Sequence, residues 1–76
     1  MKQLLVDFGQ DVEAVLLSDR WHRVGVWKNP EGEADPDGQS SLEVDGDLVS
    51  FIEQDIERRM VCPVESVLAI RWKPGH

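Results

Sequence analysis

The chain is poor in cysteine, in basic residues and in long apolar runs, and each shortage excludes something. Cys62 is the one cysteine in 76 residues, so no intramolecular disulfide can support the small core. A lone thiol suits a reducing compartment, and the expected address is cytoplasmic. Val61 and Pro63 flank Cys62 as packing residues, whereas a nucleophilic thiol needs a base beside it. Zinc on Cys62, His22 and His76 lacks any Cys-x-x-Cys or His-x-x-x-His spacing, so no metal and no cofactor are expected. The longest apolar runs, Val12 to Leu17 (broken by Glu13) and Val67 to Ile70, fall far short of the roughly 20 residues that span a bilayer. Neither they nor Met1-Lys2-Gln3 suggests a membrane or secretory segment.

Positive charge is scarce, and its distribution matters more than its total. Eight Lys and Arg face 15 Asp and Glu, for a formal charge of -7. Residues 31 to 47, EGEADPDGQSSLEVDGD, hold seven acids and no base, so the rest of the chain is neutral. Nucleic-acid backbones are bound by clustered Lys and Arg that displace counterions. Here the bases are scattered, so the expected partner is a protein with a basic surface rather than a nucleic acid.

A chain this short reads as one domain, 1–76, with a small core and little room for a deep cleft. Gln3 to Phe8 and Asp11 to Leu17 read as strands, and Ser18-Asp19-Arg20 as a connector to a third strand, Trp21 to Trp27. In that strand His22, Val24 and Val26 share one face and Trp21, Arg23, Gly25 and Trp27 the other, with Gly25 marking a bulge or bend. Two prolines and two glycines make 28–40 a flexible acidic loop. Ser41 to Val44 is a short strand, and Asp45-Gly46-Asp47 a hairpin turn.

Residues 48–60 carry two patterns. Val49, Ile52, Ile56 and Met60 fit one helix face, which would make the protein α+β with one helix near 48–60. The favoured alternative is a strand Leu48 to Glu53, a charged turn, and a strand Arg59 to Cys62. A tight turn at Pro63 to Ser66 then leads to a last strand whose Leu68, Ile70 and Trp72 point into the core. The strand, Pro-started turn and final strand resemble the close of an SH3-like barrel. The fold class is therefore mainly β: a small SH3-like barrel or a strongly bent antiparallel sheet of about five strands. The stretches VEAVLLSDRWHRV, SSLEV and CPVESVLAIRW also resemble small uncharacterised proteins of actinobacteria and their phages. That resemblance implies a compact accessory protein with no catalytic residues to carry over.

The chemistry within the acidic stretch is weighed residue by residue. With Gly38 at the sixth position of a calcium loop, Glu33, Asp35 and Asp37 fall at 1, 3 and 5 and Ser40 at 8. Position 12 is Val44, so the closing carboxylate is missing and calcium binding is only a weak alternative. Acids on a Gly/Pro loop sit in water and lack the burial that tunes a catalytic carboxyl. Three tryptophans without a tyrosine are the stronger lead, because Trp anchors interfaces as well as filling cores. The candidate partner site is Trp21, Arg23 and Trp27 with Glu31, Glu33, Asp35 and Asp37. The expected function is a non-catalytic protein-binding module. The alternative is an acidic DNA mimic that inhibits a nucleic-acid-binding protein.

Overall fold

The computed structural model describes residues 1–26, 31 and 39–74. It is mainly β. Helix α1 (Lys2–Phe8) and a 3-10 turn (Gly9–Asp11) precede β1 (Val12–Leu16) and β2 (Trp21–Arg23). After the loop come β3 (Glu43–Asp45), β4 (Leu48–Glu53) and β5 (Arg58–Pro63), a second 3-10 turn (Val64–Ser66), and β6 (Ala69–Trp72). Two antiparallel three-stranded sheets result, in the orders β2-β1-β6 and β3-β4-β5.

Strand pairing over 48–63 excludes the helical alternative. Val49, Phe51 and Glu53 are buried while Leu48 is exposed, which is the alternation of a half-buried strand. Ile56, which a helix would have turned inward, is exposed in the turn to β5. The turn at Gly46 takes a positive φ of 61° and joins β3 to β4 through two residues, with Asp45 opposite Leu48. Its Asp-Gly signal was therefore read correctly.

Three other expectations are corrected. Residues 3–8 form a helix rather than a strand: Leu5 alone is buried, one turn from Met1. Gln3 Nε2 donates across one turn to Asp7 at 2.9 Å. Leu68 is 61% exposed, because β6 begins only at Ala69 and Val67 takes the buried place after the 3-10 turn. Of the two β architectures expected, the barrel does not close among the described residues. The chain from β2 crosses to the second sheet through single bridges, Val24 to Glu53 and Val26 to Ser40, rather than through a continuous ladder. Ser40, expected in the loop, is buried at that crossing.

Gly25 makes the crossing. Its N–H donates to the Ile52 carbonyl at 2.6 Å and its own carbonyl accepts from Ser41 N–H at 2.9 Å. A Cβ there would lie 3.1 Å from the Ile52 oxygen. Between the sheets lies the core of Leu5, Val12, Val15, Val24, Leu42, Val49, Phe51, Val64 and Val67, with Ile70 and Trp72 packed against it. Each such side chain contributes on the order of 1.5–3 kcal/mol by leaving water. Trp72 also meets Phe8 edge-on at 6.1 Å, which ties α1 to the first sheet.

Candidate functional site

The register of the first sheet sorts β2 into an inner and an outer side. Val15, His22 and Ile70 are paired in one row facing the core, and Leu16, Trp21 and Ala69 in the next, facing outward. His22 is 3% exposed and Trp21 39%. The expected split of β2 into a His22/Val24 face and a Trp21/Arg23 face is therefore observed.

On the inner side sits a polar cluster that sequence reasoning missed. Glu53, 1% exposed, comes from the end of β4 in the second sheet. Its Oε1 accepts from Arg20 at 2.7 Å and lies 3.0 Å from His22 Nδ1. The other ring nitrogen, Nε2, lies 2.8 Å from Asp19 Oδ1, which also accepts from the Arg20 backbone N–H. Carboxylates only accept, so both ring contacts are hydrogen bonds when the ring carries both protons. Two carboxylates, a guanidinium and an imidazolium then sum to zero charge across the join between the sheets.

Both acids are held below their ordinary values. For Glu53 the largest influence is burial, which pushes its pKa up, but the hydrogen bonds and charges of Arg20 and His22 together outweigh it. For Asp19 the His22 hydrogen bond is the leading cause. This arrangement resembles a catalytic dyad only in composition. Neither His22 nitrogen is open to a substrate proton or a metal, so the cluster clasps the Ser18-Asp19-Arg20 turn and β2 to the second sheet. Cys62 lies half-buried on β5, and desolvation pushes its thiol pKa up, away from thiolate chemistry. Among the described residues no group of three or more His, Cys, Asp and Glu converges to hold a metal ion.

The outer side carries the expected aromatic and basic residues. The Arg71 guanidinium lies 5.3 Å from the centre of the Trp21 ring, and its Nε is 3.3 Å from Glu13 Oε2. Arg23 and Arg71 both stand opposite Ala14, one on each flanking strand. Arg23 reaches Asp55 at 3.9 Å. No protein-family model, curated protein or solved structure matches this chain. The functional reading therefore rests on this geometry.

Of the seven expected site residues, Trp21 and Arg23 share this outer face, and Glu31 is exposed in a turn. Trp27, Glu33, Asp35 and Asp37 lie outside the described residues, as does the first half of the calcium-like stretch. Arg71 and Glu13 join the face without having been singled out. Their alternation within β6 and β1 was visible, but the pairing that brings them to Trp21 was not. A second set of acids, Asp7, Glu43, Asp45 and Asp47, is exposed on α1, β3 and the turn beside them. Lys2 pairs with Asp47 at 3.1 Å. No helix among the described residues is long and apolar enough to cross a membrane.

Proposed function

We propose that the protein is a non-catalytic binding module that meets a partner protein through the Trp21 face, with exposed acids elsewhere on its surface. The observation that carries this reading is Trp21 itself, held partly exposed on a rigid strand with Arg71 stacked over it. Trp and Arg dominate interface energetics because they combine large contact area with directed polar contacts. A ring ordered before binding also costs less entropy to dock. The acids of α1 and β3 add a basic preference in the partner, which speeds encounter and sets orientation more than it raises affinity. We place the module in the reducing cytoplasm, where Cys62 stays a thiol.

The test is capture from a host lysate with the full chain, alongside Trp21→Ser and Arg71→Glu. A partner retained by the parent chain should bind at least about 30-fold more weakly to Trp21→Ser, as expected when an interface anchor worth about 2 kcal/mol is removed. Equal retention by all three chains, or no specific retention at low salt, would remove this reading. A second reading, DNA mimicry, is favoured by the placement of Asp7, Glu43, Asp45 and Asp47 on ordered elements. It requires that duplex DNA displace the captured partner.

A further inference from the structure

We propose that the groove between α1 and β3 seats an extended basic segment of the partner protein, which adds to the free edge of β3 as a fourth strand. This inference rests on the binding-module reading and gives its basic partner a location and a mode. The groove has a volume of about 680 Å³, within the range of about 300–1,000 Å³ common for ligand clefts. Leu5, Leu42 and Val44 supply its apolar lining, and Asp7, Glu43 and Asp45 its charged rim. Among the described residues no Lys or Arg lines it.

The edge of β3 is open in a specific way. Among the described residues β3 ends its sheet and pairs with β4 alone. Across a two-residue turn the flanking residues, Asp45 and Leu48, form a hydrogen-bonded pair, and pairs alternate from there. Val44 is then a non-bonded position on the β4 side, so its N–H and C=O point away from β4. An incoming strand can take both. Edge strands are ordinarily blunted by charged side chains, Pro or a cover; here the charges flanking the outward position are both acidic, which repels an acidic strand and admits a basic one.

The same alternation specifies the occupant. Glu43 and Asp45 project on one side of the strand and Val44 on the other. A strand laid against them presents residues i and i+2 to the two acids and the residue between them to Val44. The matching segment is Lys/Arg, apolar, Lys/Arg. A second copy of β3 fits poorly, since its own Glu43 and Asp45 would meet the same acids.

The probe is the peptide acetyl-Gly-Lys-Val-Lys-Val-Lys-Gly-amide, titrated into the ¹⁵N-labelled full chain and read by amide chemical shifts. Saturable shifts are expected at residues 42–45 and 5–7. The exposed double substitution Glu43→Lys/Asp45→Lys should weaken binding at least tenfold. Two further peptides test the backbone pairing without altering the protein, one N-methylated at both valines and one at all three lysines. Strand addition requires that whichever set carries the pairing N–H lose binding while the other set retains it. Equal binding of the two methylated peptides would overturn strand addition in favour of charge attraction alone. Shifts confined to another face, or none, would overturn the groove. If Trp21-dependent capture persists in that case, the binding-module reading survives without this seat. If the probe binds β3 while no Trp21-dependent partner exists, the groove stands and the Trp21 reading falls.

Discussion

Replacing Glu53 with Ala should be among the most destabilising single changes in this protein, although its side chain is charged. The carboxylate is fully enclosed, and one oxygen accepts from both Arg20 and His22. Removing it leaves Nδ1 of the buried His22 ring without its partner, beside a void. Loss of one partner from a buried charged pair costs about 3–5 kcal/mol when the group left behind has neither water nor counter-charge; here Asp19 still lies 2.8 Å from His22 Nε2, which puts the cost at the lower end. Arg20 softens that figure, since it is half exposed and can turn to solvent. At about 0.05–0.15 kcal/mol per residue, a 76-residue chain has about 4–11 kcal/mol in total. The substitution therefore consumes a large part of it.

Urea unfolding followed by tryptophan fluorescence is the direct assay. With a slope of about 1–3 kcal/mol per molar, the midpoint should fall by at least about 1 M at an unchanged slope. The double variant with His22→Ala should be less destabilised than the two single losses summed, because either change alone already breaks the contact. A Glu53→Ala midpoint equal to that of Glu65→Ala, an exposed acid in the second 3-10 turn, would refute the clasp. So would strict additivity with His22→Ala.

The same cluster sets the acid limb. Glu53 and Asp19 have folded pKa values below their unfolded ones, so their contribution is present above the ordinary carboxylate range and is lost as pH falls through the folded values. Stability should drop below about pH 4. Glu53→Gln should lower the neutral plateau and flatten that drop, as read from urea midpoints between pH 2 and 7; an unchanged acid limb would exclude this carboxylate as its source. Two glycines should respond for different reasons. Gly25→Ala places a methyl 3.1 Å from the Ile52 carbonyl and should cost about 1–3 kcal/mol of crowding. Gly46→Ala has open space but a φ of 61°, so it should cost about 1–2 kcal/mol from backbone strain alone. Gly46→Asn should recover part of the Gly46 loss and an Asn at 25 none, by melting temperature.

Local signals located most of the strands. Period-two alternation over 48–53, the Asp-Gly turn, the glycine bend after β2 and the proline-led turn before β6 all act within a few residues, and all are present. Residues 3–8 misled, because a short apolar run satisfies a strand and one helical turn equally well, and only the site of Leu5 in the core separates them. That Trp21 and Arg23 share a face was legible from alternation; that this face is the exposed one was not. Arg71 over Trp21 was not, because it depends on β6 pairing with β1 from more than fifty residues away.

By itself the sequence determined the mainly β character, the charge imbalance confined to residues 31–47, and which residues of β2 share a face. These follow from composition and from the two-residue period of a strand, which need no knowledge of partners. Tertiary structure alone decided that the described strands would form two separate sheets and that Gly25 would carry the chain between them. It also decided that His22 would meet Glu53 across 31 positions, and that β3 would end the order of the described strands beside α1. The physical reason is common to all four. Pairing between distant segments is chosen by how buried side chains fill one shared core and by which hydrogen bonds remain to be satisfied there. No local window contains that information.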